Sequence, residues 1–598
     1  MKFTRPAFLA TLSVASMLTV PLSSAQAEEQ SPIIVTATRT AQTADETLSP
    51  VIVIDRSEIE SNPSAEVSDL LRMHAGIDIG RSGGPGQQTS VFIRGANSAH
   101  TLVLIDGVSI NPDIGNAALQ NIRLDMIERI EIVKGPRSTL YGSQAIGGVI
   151  NIITRRSTEG SHYQVHAGAG SYATKKYGFA AHNRRDDSAA GITVDVSRSV
   201  GFPTIKTRTT DRGYKNLSIN LYGKKKMGET DLEITHNHSS GKTDYTNIYS
   251  TPQEIDQNFT NNLTTLGINN SPTASWASKI KLSHMEDTLE QNQSNNISQT
   301  YRNALDWQND IQVNNHNLLT AGLYAAQEHA KSVSSSSFNQ DTDHYAAFIQ
   351  DDMQAGANHL VAGIRANKYE AFGNHTTHNL EYGYTVNENL RFNLAHNSGY
   401  RAPSATDRFG YGGNVNLLPE ESKNSELGIQ YTFNKQQNVH INYFQNDITN
   451  LIEYDSGTSK MQNIAAARIK GTEIEYKYNS EYWNVDISAV FQDPENKSNG
   501  AQLSRRTRTS YTAGINHRIN KHSIGIDVLY AGERDNSAYD SVILKSYTLV
   551  NLNAHIQASK QLSINARVEN LTDEVYELAS TYSTPGRSYY AELVYNFN

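Results

Sequence analysis

The chain has 598 residues, no cysteine and a formal net charge of −9 at pH 7. The lack of cysteine excludes disulfides, thiolate metal sites and cysteine nucleophiles, and the acidic balance without a basic patch argues against a nucleic-acid partner. The mean hydropathy of −0.53, without a long apolar segment after the N-terminus, excludes a helical membrane protein. A secreted soluble β-protein and a membrane β-barrel both remain open.

The first 27 residues have the pattern of a secretory signal peptide. Lys2 and Arg5 give a charged start, residues 8–20 are apolar, and residues 25–27 form a small-x-small cleavage site. The apolar run is shorter than the roughly 20 residues that a membrane-spanning helix needs. The sequence therefore predicts export across the inner membrane, followed by a flexible, mostly polar N-terminus over residues 28–45.

Residues 46–158 show a mixed α/β pattern. Four consecutive apolar residues predict a buried strand at 51–54, and residues 55–73 have helical periodicity. A second apolar run at 102–105 ends at Asp106-Gly107, which is a strong turn signal. The apolar face of the predicted helix consists of Ile59, Val67, Leu70 and Leu71.

The most distinctive stretch of this domain is residues 127–156. Two apolar, β-branched runs flank a break at Gly135-Pro136, which predicts a strand, a tight turn and a second strand. Glycines at 142, 147 and 148 indicate positive φ angles or close backbone approaches. A generic phosphate-binding loop would carry a Gly-Lys-Ser/Thr ending and a following helix, and both are missing.

From residue 159 to 598 the sequence alternates between apolar and polar residues. Leu562–Glu569 is one clear example, and residues 550–557 and 589–597 are others. Dividing about 440 residues among 22 strands leaves about 20 for each strand and its connection, as a transmembrane barrel requires. A soluble sandwich would also alternate, but the number of strands in series favours an all-β membrane protein with a 22-stranded antiparallel barrel. Such a barrel is too wide to be filled by its own side chains, so the α/β domain is predicted to plug its lumen.

These segments resemble the TonB-dependent outer-membrane transporters. The plug domain of that family is similar to residues 127–156, 92–95 and 102–108, and its barrel to residues 399–404, 416–422, 443–448, 467–473 and 569–573. The resemblance covers essentially the whole mature chain. It implies a monomeric barrel surrounded by lipid in the outer membrane of a Gram-negative bacterium, where it imports a ligand and is not an enzyme. A passive pore or a surface adhesin is the alternative from a different class.

Residues 31–39 resemble a TonB box, the segment that these transporters offer to the periplasmic protein TonB. An extended, apolar and threonine-containing strand can pair with the edge of another sheet. The residues of the predicted box are Pro32, Ile33, Ile34, Val35, Thr36 and Ala37. The resemblance implies TonB, with its inner-membrane energising complex, as the partner that drives import.

Within the family, the chain is most similar to the cobalamin (vitamin B12) receptors, at residues 93–100, 135–138, 145–154, 503–506 and 582–589. Cobalamin would then be the transported ligand, with a ferric siderophore or haem as the alternative. The implied ligand contacts are Ser82, Gln87, Gln88, Thr89, Ser90, Asn111 and Asn116 on the plug, and Tyr245, Arg505 and Tyr582 on the barrel. Amides, hydroxyls and tyrosines suit a large, nearly neutral, amide-fringed ligand, whereas a tris-catecholate iron chelate would require converging Arg and Lys.

Charged residues inside the barrel are expected to be paired, since a buried charge is costly alone. Arg94, Glu128 and Glu131 are therefore predicted to form plug–plug or plug–barrel ion pairs. Some cobalamin receptors order their loops with calcium held by several aspartates, but the matching segments here keep only Asp211 and Asp244. We expect no calcium cluster and no cofactor.

Histidines give little indication of a metal site. His236 and His238 share one face of a predicted strand, and they are predicted to be lumen or loop residues. No HExxH motif and no nucleophile elbow are present.

Overall fold

The computed structural model describes residues 34–35, 39, 42–43, 46–61, 66–156, 159–248, 254–538 and 540–597, with the backbone alone at 34, 35, 464 and 465. The predicted signal peptide and four residues of the predicted TonB box (32, 33, 36 and 37) lie outside the described residues. None of the described helices is long and apolar enough to cross a membrane.

The described part of the N-terminal region contains nine strands and three helices, joined by 3₁₀ turns at Ser98–His100, Leu119–Asn121 and Leu124–Met126. The elements are β1 (Ile34–Val35), β2 (Gln42–Thr43), β3 (Val51–Ile54), α1 (Arg56–Ser61), α2 (Val67–Leu71), β4 (Ile77–Arg81), β5 (Thr89–Ile93), β6 (Thr101–Ile105), β7 (Val108–Ser109), β8 (Ile127–Lys134), α3 (Ser138–Tyr141) and β9 (Gly148–Thr154).

The plug domain is built on a five-stranded sheet with the order β3-β8-β9-β6-β7. β6 and β9 run parallel, and the other neighbours run antiparallel. The central strands are nearly continuous apolar runs because both faces of the sheet are covered. Ile130, Ile132 and Ile150 are completely buried, together with Leu71 from α2.

Two local predictions in the plug need correction. The helix predicted at 55–73 is two helices, α1 and α2, and Pro63, which disfavours helical conformation in the residue before it, lies between them in the sequence. The connection after β8 is not only a tight turn, because it contains α3. This helix ends at Gly142, whose φ of 84° and ψ of −140° favour glycine.

The barrel closes with 22 antiparallel strands, and β33 pairs with β10. Its elements are β10 (Gly160–Gly170), β11 (Thr174–Arg185), β12 (Ser188–Phe202), β13 (Arg212–Met227), β14 (Thr230–Thr246), β15 (Glu254–Thr273), β16 (Trp276–Gln291), β17 (Asn296–Asn314), β18 (Asn317–Val333), β19 (Phe338–Ala355), β20 (Asn358–Tyr369), β21 (Gly373–Asn387), β22 (Leu390–Arg401), α4 (Ala405–Phe409), β23 (Glu420–Asn434), β24 (Gln437–Asp455), β25 (Lys460–Asn479), β26 (Trp483–Asn496), β27 (Thr509–Ile519), β28 (His522–Ala531), β31 (Tyr547–Gln557), β32 (Leu562–Glu569) and β33 (Ser588–Phe597), with β29 (Arg534–Asp535) and β30 (Ile543–Leu544) as a small ladder in one connection.

The two ends of the barrel differ in the length of their connections. At one end all connections have two to four residues, whereas several connections at the other end are much longer, including 203–211, 402–419, 497–508, 532–546 and 570–587. Short turns face the periplasm and long loops face the outside in barrels of this type. The loop end is therefore the extracellular end.

The barrel strands turn their polar side chains inward and their apolar side chains outward, which is the reverse of a soluble β-protein. In β32 the polar residues Ser563, Asn565 and Arg567 are buried toward the lumen. On β33 the apolar residues lie outside, and Tyr589 and Leu593 are 55% and 50% exposed. An outward apolar surface around a polar interior confirms the transmembrane barrel and excludes the soluble sandwich.

The histidines of β14 lie on the outer surface, contrary to the predicted lumen or loop position. Ser239 donates a hydrogen bond to the plug carbonyl of Asn121 (2.9 Å), so the odd-numbered residues of this stretch face the lumen. His236 and His238 therefore face outward, where their rings stack at 6.5 Å. Alternation fixes which residues share a face, but it does not fix which face is inside.

Candidate functional site

The plug loop between β4 and β5 is held against the extracellular end of the barrel. The Glu66 carboxylate accepts a hydrogen bond from the Gly86 N–H (2.5 Å) and pairs with Arg81 (2.9 Å). A Cβ atom on Gly86 would lie 2.0 Å from the Tyr214 ring, so the loop can sit this close to β13 only with glycine there. Burial raises the pKa of Glu66 despite the nearby Arg81.

The predicted ligand residues of this loop separate into two groups. Gln88 is exposed, and Ser82 and Ser90 are half-buried. Gln87 is buried and donates to the Asp244 carbonyl (2.8 Å), while the buried Thr89 donates to the Gln87 carbonyl (3.0 Å). Gln87 and Thr89 therefore support the loop in this structure, and their role as ligand contacts stays a prediction.

The second plug loop, residues 110–118, is anchored in a similar way. The Asn111 amide accepts from the Val103 N–H (2.7 Å) and donates to the Thr101 carbonyl (3.0 Å), which ties the loop to β6. Asn111 thus supports the loop, Asn116 is half-buried, and the role of both as ligand contacts stays a prediction. Arg302 of β17 donates to the Asn111 carbonyl (2.7 Å).

The carboxyl of Asp113, also in this loop, is in an environment that disfavours its charge. Burial, followed by the nearby Glu328, raises its pKa well above the ordinary carboxyl range. Sequence reasoning singled out neither Asp113 nor Arg302. Arg302 is a charged residue on a lumen-facing strand position, and only the lumen-facing parity of β17 could have indicated it.

The barrel residues Arg505 and Tyr582 lie in loops that are hydrogen-bonded into one surface. The Arg505 Nε donates to the Asn536 carbonyl (3.1 Å), and the Asn536 side chain accepts from the Ser580 N–H (2.9 Å). Tyr582 pairs in a β-bridge with Ile205. The neighbouring Ser583 N–H donates to the Thr204 carbonyl (2.9 Å), which brings loops 203–211 and 570–587 together.

The same surface reaches both the plug and β14. A Cβ atom on Gly83 would lie 2.5 Å from Thr204, and Gly80 approaches the Arg505 side chain. Tyr245 follows Asp244, which accepts the hydrogen bond from the plug loop, and its hydroxyl accepts from Gln291. The structure therefore places Gln88, Ser82 and the predicted barrel residues around one extracellular surface.

Three basic side chains at the extracellular end have acidic partners. Arg401 pairs with Asp407 (2.5 Å) and Glu420 (2.7 Å). Arg212 pairs with Glu254 (2.9 Å), and Lys206 with Glu577 (2.7 Å). These three charges are thus neutralised within the protein.

Arg506, next to the predicted contact Arg505, points into the plug. It donates to the Gly95 carbonyl (3.2 Å), and its guanidinium lies 4.6 Å from the centre of the Phe92 ring. Burial lowers the pKa of Arg506 to about 10. The plug residue Asp78 accepts hydrogen bonds from the Thr507 hydroxyl (2.8 Å) and N–H (3.2 Å). Sequence reasoning missed both plug contacts of this loop, that of Arg506 and that of Thr507.

Arg94 lies in a buried plug–barrel ion cluster. Its guanidinium pairs with Glu426 (3.0 Å) and Glu473 (2.8 Å) and lies over the Phe444 ring (4.6 Å). Burial alone would lower the pKa of Arg94, but the two carboxylates raise it.

The two plug glutamates that were grouped with Arg94 differ from each other. Glu131 is buried and pairs with Arg129 within the plug (2.8 Å). Glu128, at the start of β8, is half-buried, and no ion pair to it within 4 Å occurs among the described residues. The prediction that Glu128 forms an ion pair is therefore corrected. Its position at the start of β8 is still partly accessible, so its charge needs no partner inside the protein.

One group of three possible metal ligands occurs among the described residues: Asp125, His166 and Asp195, with ligand atoms within 4.8 Å of one another. Arg123 donates to Asp195 (2.8 Å), so a positive charge already occupies this position and we assign the group to plug–barrel contacts. In the segments compared with calcium-binding receptors, Asp211 is exposed and Asp244 lies 3.4 Å from Lys242. The absence of a calcium cluster stays a prediction.

Inside the lumen, Arg39, which follows the predicted TonB box in the sequence, is fixed to the barrel wall. Arg39 makes two hydrogen bonds with Asp306 of β17 (3.0 and 2.9 Å) and lies over the rings of Tyr141 and Phe348. β1, which contains Ile34 and Val35, pairs with β2. A cavity of about 430 Å³ between plug and barrel extends from this pair toward α4 at the extracellular end.

The Arg39–Asp306 pair is expected to restrain the box segment. Asp306→Asn leaves a buried guanidinium without its counter-charge, a loss of about 3 kcal/mol. A single cysteine at Ser31, in a chain that has no other cysteine, should then react several-fold faster with a water-soluble maleimide. Asp231→Asn is the matched control, because Asp231 lies on another barrel strand, β14, where it pairs with Lys224. Equal rates in both variants would contradict the restraint.

Comparison with protein families gives two matches. The model described as "TonB dependent receptor-like, beta-barrel" matches residues 160–571, and the one described as "TonB-dependent Receptor Plug Domain" matches residues 43–149. Together they cover most of the chain in the order plug, then barrel.

Similar curated proteins share the whole length of the chain. A protein of Vibrio vulnificus named "Vitamin B12 transporter BtuB" is 29% identical, with 98% of this chain and 99% of that protein covered. A protein of the same name from Photobacterium profundum is 28% identical, with 94% and 95% covered.

Two similar solved structures are those of proteins named as receptors for siderophores. The siderophore receptor PirA from Acinetobacter baumannii superposes with a TM-score of 0.82 at 19% identity, covering 93% of this chain and 99% of that one. A mutant of the ferric enterobactin receptor PfeA from Pseudomonas aeruginosa gives 0.81 at 18% identity, covering 94% and 100%. At such identities the likeness shows the fold alone.

Proposed function

The chain belongs to the TonB-dependent receptor family, and from this we propose that it imports cobalamin across the outer membrane into the periplasm. As a member of that family it lies in the outer membrane of a Gram-negative bacterium and interacts with TonB and a transported ligand. The observation that carries the choice of cobalamin is the similarity of 29% over nearly the whole chain to a protein named as a vitamin B12 transporter.

The chemistry of the extracellular surface supports this choice. Cobalamin is large, nearly neutral and fringed with amides, so it needs hydrogen-bond donors and acceptors and flat amphipathic side chains. Gln88, Ser82, Tyr245 and Tyr582 offer these groups, while the neighbouring Lys206 and Arg212 are paired with acids. A negatively charged iron chelate would have to compete with those acids for positive charge.

The transport mechanism follows from the blocked lumen. A plug that is held inside the barrel by buried ion pairs obstructs a solute of this size, and we infer that import needs energy from outside the barrel. In our proposal, ligand binding at the loops changes the plug, residues 32–37 become available to TonB, and the pull locally displaces the plug. The closed barrel has no unpaired strand edge, which is consistent with a monomer.

Equilibrium binding to the purified, detergent-solubilised protein tests the ligand. We expect cyanocobalamin to bind at nanomolar concentration and neither haem nor ferric enterobactin to displace it. Displacement by ferric enterobactin would indicate the siderophore alternative. A folded barrel that binds none of the three would remove the proposed substrate and leave the family assignment unchanged.

Tyr582 gives the first variant for this assay. We expect Tyr582→Ala to weaken cobalamin binding about tenfold, the usual effect of removing one aromatic contact of an interface. Tyr411→Ala is the matched control, since Tyr411 is the most exposed of the apolar residues in loop 402–419 and lies outside the proposed surface. An unchanged affinity in Tyr582→Ala would remove this residue from the site.

A further inference from the structure

Four basic residues form a continuous row across the outer surface of the barrel, on strands β11 to β14. Lys175 is paired in register with Arg198, Arg198 with Lys215, and Lys215 with Lys242. The first three are exposed and lie on the same strand faces as the outward-pointing Tyr177, Val196 and Leu217. Directly opposite residues of antiparallel strands have Cβ atoms about 5 Å apart, so the four cations are immediate neighbours.

The row lies where the apolar belt of the barrel ends. Lys175 is the second residue of β11, and Lys215 the fourth residue of β13, both close to the extracellular loops. One step toward the periplasm, the paired residues at the same positions are Tyr177, Val196 and Leu217. This is the level at which lipid headgroups meet acyl chains.

The protein supplies counter-charge to only one member of the row. Lys242 pairs with Asp244 and Asp256. We call the other three residues, Lys175, Arg198 and Lys215, the basic row. Among the described residues, none of these three has an ion pair within 4 Å or a side-chain hydrogen bond. Like charges directly opposite each other destabilise a sheet, so an external anion would relieve the repulsion.

The other side of the barrel shows the contrasting arrangement. On β24 to β27, outward-facing charges at the same end neutralise one another: Arg468 pairs with Asp447 (2.6 Å), and Lys470 and Arg508 both lie near Asp493 (3.8 and 3.6 Å). The basic row is thus a local feature and not a property of the whole rim.

We propose that the basic row binds the phosphate groups of a lipid in the outer leaflet. An arginine flanked by two lysines provides a planar fork and two flexible point charges for phosphate oxygens. The apolar residues directly below the row, Tyr177, Val196 and Leu217, would contact the acyl chains. This continuity between cations and apolar surface indicates a lipid rather than a free phosphate ion.

Native mass spectrometry of the full mature protein tests the proposal, with diphosphoryl lipid A as the probe added to the detergent. The triple variant Lys175→Gln, Arg198→Gln, Lys215→Gln should bind lipid A at least about tenfold more weakly than the wild type, because each cation near an anionic membrane surface adds to the affinity. The matched control, Arg468→Gln, Lys470→Gln, Arg508→Gln, removes the same charge from the same rim and should bind like the wild type.

Three results would overturn the proposal: equal lipid A binding in wild type and triple variant, an equal loss in both triple variants, or complete displacement of lipid A by inorganic phosphate. Heat-modifiable migration of both variants on gel electrophoresis, measured in parallel, shows that the barrels are folded. Because this control does not use cobalamin, the outcome is independent of the proposed transport function.

Discussion

Deletion of residues 32–37 is expected to abolish cobalamin uptake while leaving cobalamin binding unchanged. The deleted segment is the one that TonB would pair with, and a partner strand needs an extended backbone with free hydrogen-bonding groups. The contacts described for the proposed ligand surface are made by later plug residues and by barrel loops, so these loops keep them. Uptake of labelled cobalamin by whole cells and binding to purified protein give the two readouts.

A pair of point variants makes the same test without changing the chain length. Ile34→Pro removes the N–H group and restricts the backbone of β1, and it should reduce uptake to the level of the deletion. Ile34→Ala keeps the N–H group and should retain most of the uptake. Normal uptake by the deletion variant would end the argument for energy coupling and favour a passive pore.

Arg94→Ala is expected to loosen the plug by about 3–5 kcal/mol, since it leaves a buried carboxylate without its partner. Glu473 would still have Lys134 at 3.3 Å, but Glu426 would lose its ion-pair partner. Hydrogen exchange of the amides of β5, which precedes Arg94, gives the measurement. If these amides exchange by opening of the plug, a loss of about 3 kcal/mol corresponds to a rate increase of more than a hundredfold.

The triple variant Arg94→Met, Glu426→Gln, Glu473→Gln is the control for this prediction. It replaces the whole buried cluster with neutral groups, and Lys134 keeps its second partner, Glu475, at 2.7 Å. We expect the amides of β5 in this variant to exchange at a rate much closer to that of the wild type than the amides of Arg94→Ala do. Wild-type protection in Arg94→Ala itself would mean that the ion pairs do not hold the plug.

Much of the architecture could be predicted because the patterns behind it are local. The strand at 51–54 and the strand at 562–569 have the predicted bounds, since each is a short run with a clear apolar or alternating pattern. The number of barrel strands followed from the length that each strand and connection occupies in a membrane barrel.

The direction in which side chains point was harder to predict. His236 and His238 were correctly placed on one strand face, but the choice between lumen and lipid depends on contacts with the plug, such as that of Ser239. The basic row could not be predicted from the sequence either, because Lys175, Arg198 and Lys215 become neighbours only through the register of three strands.

The residues of the predicted ligand site differ in how far the sequence could indicate their surroundings. Gln87, Thr89 and Asn111 are in the implied loops, but each uses its polar group within the protein. Asparagine commonly bonds to nearby backbone groups, so the supporting role of Asn111, beside a turn and a strand, could have been anticipated. For Gln87 the partner is the distant Asp244, and no local signal indicates it.

Uptake of radiolabelled cobalamin by cells in which this protein is the sole outer-membrane route for the vitamin tests the central claim most directly. We predict saturable uptake in cells that contain TonB and background uptake in otherwise identical cells that lack it, with no competition from haem or ferric enterobactin. Equal uptake with and without TonB, or no uptake by cells that display the folded barrel, would contradict TonB-driven import of cobalamin.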